Sequence, residues 1–164
     1  MKTPRGIRNN NPLNIRHSPN RWQGMAVEQT DANFVQFQSM AYGYRAAFKI
    51  LQSYYHRFCQ EGKPFTVHAI ISRWAPPQDG NDTGHYIRSV LLLGGLGGRE
   101  NLFPPDNPDG YHRLERLVTA MTVVECGISI RLVNTAAIRM GYLLAFPEVR
   151  EVEHLGLHSP ETDE

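Results

Sequence analysis

The stretch Leu114–Gly127, "LERLVTAMTVVECG", decides how this chain reads. Leu114, Leu117, Val118, Met121 and Val124 recur at i, i+3, i+4, i+7 and i+10, the period of one helical face. Position i+11 lies on that same face, and it is Glu125. Periodicity leaves two readings open. Either the helix frays after Val124 and the carboxylate stands in water, or an acid closes an apolar stripe just before a Cys-Gly stop. In the second case lost solvation and the negative end of the helix dipole both disfavour the charged form. A carboxylic acid kept protonated beside a cleft is what protonation of a glycosidic oxygen requires. Gly127 would then let a ligand approach the backbone closely.

Other helices flank this one. Ser39 can cap a helix to about Gln60, with a stripe of Tyr44, Ala47, Phe48, Leu51, Tyr54, Tyr55 and Phe58 and a stop at Gly62. Thr66 opens the next, with Val67, Ile70, Ile71 and Trp74 in register, ended by Pro76 and Pro77. Asp82 or Thr83 caps a third through Tyr86, Ile87, Val90 and Leu91, which ends in "GGLGG". After the loop "RENLFPPDNPDG" comes the Glu125 helix, at about 110–126, and then a last one from Asn134 to Phe146. Residues 5–24 are rich in Asn, Pro and Arg and predict irregular, ordered loop. The segment "NFVQFQS", Asn33–Ser39, predicts one strand of a small β-hairpin near residues 15–38. The expectation is a mainly α fold of about five helices in a single domain over residues 1–147. A polar acidic tail would occupy residues 148–164.

Composition excludes several classes. The chain has 164 residues, 41% hydrophobic and 20% charged, which suits one globular domain. A net charge of +1 gives no global field for nucleic acid. Basic residues do crowd the first loop, where Lys2, Arg5, Arg8, Arg16 and Arg21 meet no acid. No apolar run is long enough for membrane insertion. The opening "MKTPRGIRNNNP" lacks the apolar core of a secretory signal peptide. Synthesis in the cytoplasm is therefore expected, and the two cysteines, Cys59 and Cys126, are expected as free thiols. The seven histidines show no metal-ligand spacing in a helix and "GGLGG" is no P-loop, so neither a metal nor another cofactor is implied. Cys126 has no activating partner that the sequence identifies.

Candidate polar residues fall in loops. Asn9, Asn10, Asn11 and Asn14 can each hold a turn, and their amides equally suit sugar hydroxyls and N-acetyl groups. Glu28, Asp31, Asp79 and Asp82 are each available as a second carboxylate, against ordinary turn and cap roles. Trp22 and Trp74 could line a sugar cleft, although Trp74 also continues a core stripe.

Several motifs together resemble a known group. "RGIRNNNPLNIR", Trp22 and Gly24, "FVQFQSMAYGYRAAFKIL", "IISRWAPPQDGNDTGHYI" and "VVECG" resemble phage and prophage proteins often labelled virion structural proteins. These are related to peptidoglycan-degrading lytic enzymes with a lysozyme-like fold. The resemblance covers roughly residues 5–146. A looser likeness links "NPLNI", "RWQG" and "FVQFQS" to bacterial glucosaminidases and lytic transglycosylases, where the Glu-ending helix comes first. Here that helix follows instead, which implies a circularly permuted lysozyme-like domain.

Carried over, the resemblance makes Glu125 the general acid, places Asn11, Asn14, Arg16 and Trp22 near the cleft, and sets Gln36 and Phe37 on a strand flanking it. Asp31 and Glu28 are the nominated second acids. Two departures stand out: Leu13 where family members usually carry Gly, and Cys126 where they often carry Asn. The implied activity is a muramidase or lytic transglycosylase that cuts the β-1,4 bond between N-acetylmuramic acid and N-acetylglucosamine. The implied partner is bacterial peptidoglycan, with other virion or secretion-machine proteins for delivery to the cell wall or periplasm. A non-catalytic virion or wall-binding module, and a peptidoglycan peptidase on the same scaffold, are the rival expectations.

Overall fold

Helices form where apolar stripes meet capping side chains. The computed structural model describes residues 2–149. Six α-helices are complete within it: α1 (Arg5–Arg8), α2 (Met40–Gln60), α3 (Val67–Trp74), α4 (Thr83–Gly94), α5 (Tyr111–Cys126) and α6 (Thr135–Ala145). Residues 147–149 are also helical. Thr66, Asp82 and Asn134 each accept a backbone N–H of the first turn they precede, from Ala69, His85 and Ala137. Ser39 precedes α2 without a side-chain cap bond. The turn α1 has no apolar period to announce it. Most of the acidic tail lies outside the described residues.

Helix α5 is central. Leu114, Leu117, Val118, Ala120 and Met121 are fully buried, with α4 on one side and α6 on another. Fully burying one such Leu or Met stabilises by roughly 1.5–3 kcal/mol. Helix α2 lies along α6, where Phe48 meets Tyr142 edge-on at 5.3 Å and Phe146 at 6.5 Å. The Tyr44 hydroxyl reaches Thr122 Oγ1 at 2.9 Å and ties α2 to α5. Gly127 stops α5 in the left-handed region, φ 62°, and its N–H closes on Val123 O. With no neighbour near a Cβ added there, Gly127 serves that stop.

The expected β-hairpin is not formed. Among the described residues the strand-type pairing is limited to two isolated antiparallel bridges, Arg16 with Phe34 and Met25 with Phe37. Beyond the few backbone bonds of these bridges, side chains satisfy the backbone instead of a continuous partner strand. Asn11 accepts from Ile15 N–H and donates to the carbonyls of Ile15 and Val35. Gln36 Oε1 accepts from the N–H groups of Thr30 and Asp31, and Gln29 bonds both backbone groups of Gln36. Polar residues at these positions compete with a ladder for the same donors and acceptors.

Candidate active site

The end of α5 faces the Asn-rich loop. Asn14 adopts the left-handed conformation, φ 52°, which Asn tolerates better than most residues. Its Nδ2 donates to Glu125 Oε2 at 3.1 Å and to Glu125 O at 3.2 Å. On the other side, Trp74 Nε1 donates to Glu125 Oε1 at 3.2 Å and Tyr86 O–H donates to the same oxygen at 3.0 Å. Thus α3, α4, α5 and the first loop converge on one carboxyl. In sequence Trp74 continues a core stripe and Tyr86 belongs to the stripe of its own helix. Their polar tips at helix positions next to loops were the available signal.

Glu125 is half-buried at the wall of a cleft of about 390 Å³. Burial pushes its pKa up, opposed by the three donors and by the positive charge of Arg16. The upward direction prevails, which favours the protonated acid. Two donors on Oε1 suit that oxygen to the carbonyl role and leave Oε2 to carry the proton. Burial first, then the charge of Glu125, pushes the Tyr86 phenol well above its ordinary value, so it remains a donor. Tyr86→Phe removes a bond that favours the carboxylate. If Glu125 acts as an acid, the high-pH limb of activity is expected to shift upward in a pH-rate profile.

The cleft is lined by Asn14, Arg16, Trp22, Phe34, Tyr54, Trp74, Asp79 and Asn81 as well as Glu125. Trp22 Nε1 is buried and has no hydrogen-bond partner among the described residues. Asn14, Arg16 and Trp22 thus line the same cleft as Glu125. Asn11 does not: it is fully buried and spent on the loop backbone. Phe37 is core, 3% exposed, and Gln36 bonds Asn9 and the Thr30–Asp31 turn away from the cleft. Leu13 is buried at the cleft margin.

The second acids separate clearly. Asp31 lies with Arg8, Asn9, Thr30 and Gln36 in a different hollow. Its carboxylate accepts from Arg5, Asn9, and the N–H groups of Asn33 and Phe34. The Arg5 guanidinium, then the Asn9 amide, hold it far below the usual carboxylate range, so it is a poor base. Glu28 is exposed and does not line the cleft. Asp79 does, at the end of the 3-10 turn Pro77–Asp79. Nothing local in the chain ranks Asp79 above the other loop acids.

Cys126 is buried, and its thiol donates to Pro12 O at 3.2 Å. Burial pushes its pKa up to about 11, which keeps it a thiol at neutral pH. Among the described residues no group of three His, Cys, Asp or Glu side chains could hold a metal ion. No helix is long and apolar enough to cross a membrane, among the same residues.

The fold and this cleft define a mainly helical protein with a half-buried acid held between aromatic and amide donors. No protein-family model matches the chain. Protein P5 of Pseudoalteromonas phage PM2 is 36% identical over 126 residues, covering 75% of this chain and 71% of that protein. The chain belongs to the family of that phage protein.

Proposed function

We propose that the protein cleaves the glycan strands of bacterial peptidoglycan, as a muramidase or lytic transglycosylase with a permuted lysozyme-like architecture. The observation that carries this reading is Glu125, a half-buried acid with a raised pKa at the wall of a polar and aromatic cleft. The close approach of Asn14 to Glu125 supports the permuted order of motifs, and phage kinship supports delivery by a virion or at lysis.

In the proposed reaction Glu125 Oε2–H protonates the glycosidic oxygen as the bond to the muramyl C1 breaks. Trp22 and Tyr54 supply aromatic surface for pyranoses in the cleft lining, and Asn81, whose Nδ2 donates to Pro76 O at 3.1 Å, keeps its amide oxygen for a hydroxyl or an acetamido N–H. In the transglycosylase route the Glu125 carboxylate then takes the proton of the muramyl 6-hydroxyl, which attacks C1 and closes an anhydro ring. In the hydrolase route water attacks C1 and gives its proton to Asp79, the second carboxylate of the cleft lining.

Mass spectrometry of digested sacculi tests this. Anhydro-muramyl ends mean transglycosylase, and reducing ends mean hydrolase. Cut stem peptides, or no product from the wild type, would overturn the proposal and leave a peptidase or a non-catalytic virion module. Asp79→Asn is expected to cost about 100-fold in rate if the products carry reducing ends. If they carry anhydro ends, the same variant should stay within about threefold of wild type.

A further inference from the structure

The cation in the cleft wall points to a charged substituent on the ligand. Arg16 and Arg5 both approach Phe34, with guanidinium carbons 4.9 and 4.5 Å from the ring centroid. Their fates differ. Arg5 is engaged in a two-point pair with Asp31, Nε to Oδ2 and Nη2 to Oδ1, each at 2.6 Å. Arg16 has no carboxylate within 4 Å among the described residues, and it is the one cation among the residues lining the cleft. A guanidinium is charged at any working pH and offers a planar fork that matches a carboxylate with two parallel bonds. Its position over Phe34 restricts where that fork can point, so less freedom is lost on binding. A neutral glycan would leave this group without a counter-charge. An aromatic-mounted, unpaired arginine beside the acid suits a sugar that carries an anion close to the cleaved bond.

We infer that Arg16 is the specificity-determining residue of the cleft and pairs with a carboxylate on the O3 side arm of the muramyl sugar. This rests on the glycan-cleaving reading above. The carboxylate has two sources: the free lactyl group of a denuded strand, or an acidic residue of the stem peptide amide-linked to it.

The test compares three substrates. Stem-bearing peptidoglycan, strands denuded by an amidase, and neutral N-acetylglucosamine oligomers are each assayed with wild type, Arg16→Gln and Arg16→Lys. Wild type is expected to prefer at least one carboxylate-bearing substrate over the neutral oligomer. Arg16→Gln should raise KM about tenfold more for that substrate than for the neutral oligomer, the mark of a binding contact made to the carboxylate. Arg16→Lys keeps the charge without the planar fork and should fall between the two. An effect confined to denuded strands assigns the lactyl carboxylate, and one confined to intact material assigns the stem. Equal KM changes on neutral and anionic substrates, or none, would overturn the inference while leaving glycan cleavage standing. No cleavage of any glycan by wild type would instead sink the functional reading beneath it.

Discussion

Glu125→Gln is expected to lower glycan cleavage by about 10²–10⁴-fold, because the amide keeps the shape of the side chain and has no acidic proton to give. Release of soluble fragments from purified sacculi measures it. The same variant should gain stability, and the gain should depend on pH. Glu125 is held above its ordinary pKa by burial, so folding favours its protonated form. Between the unfolded pKa and the raised folded one, the native state binds the extra proton, and stability falls as pH rises through that window. Gln cannot ionise and escapes this loss. Its melting temperature should exceed that of wild type at pH 8 and lose that margin below pH ~4, under the ordinary carboxyl pKa of about 4.3. A variant that is inactive and equally stable at both pH values would mean that Glu125 is not shifted upward. Retained cleavage would remove it as the acid.

Gly43→Ala is expected to destabilise the protein strongly, against the usual trend. Ala in a helix interior normally gains about 0.5–1 kcal/mol over Gly. Here a Cβ would stand 2.1 Å from the carbonyl oxygen of Asn10 and 2.9 Å from Pro12 Cδ. The first contact is to backbone, which cannot swing aside as a long side chain would. The first loop must withdraw from α2, and overpacking of this kind costs up to about 3 kcal/mol. For a chain of this size that corresponds to a fall of roughly 6–12 °C in Tm. Because the loop also carries Asn14, the shift should weaken its bond to Glu125. Thermal denaturation of the variant checks the stability. An unchanged Tm would mean that the loop is not held as tightly against α2 as this contact requires.

The five long helices were legible because each joins an apolar stripe to a local signal at an end, such as Thr66, Asp82 and Asn134 as side-chain caps. The region before α2 was not. Phe34 and Phe37 suggested strand, but the bonds that decide its shape come from the side chains of Asn11, Gln36 and Asp31. Those amides look alike in sequence whether they face a ligand or the backbone. That ambiguity explains why Asn14 lies at the cleft while Asn11, three residues earlier, is buried scaffold. Trp74 and Tyr86 were obscured for the opposite reason. Each sits on an apolar stripe, and only the third dimension shows both polar tips meeting one carboxylate oxygen. Asp79 carries no local feature that separates it from Asp82, which caps α4.

The bond from Asn14 to Glu125 spans 111 residues of chain. A ribosome adding about 5–20 residues per second needs roughly 6–22 s to travel from one to the other. Glu125 is therefore the last residue of the cleft lining to be made. During that interval the nascent loop has its amide and arginine but no acid between them. A fragment ended by stalling or proteolysis before α5 carries every other residue of the cleft lining and lacks Glu125. Completion of α5, the penultimate long helix, is thus the step of synthesis that adds the carboxyl to the cleft.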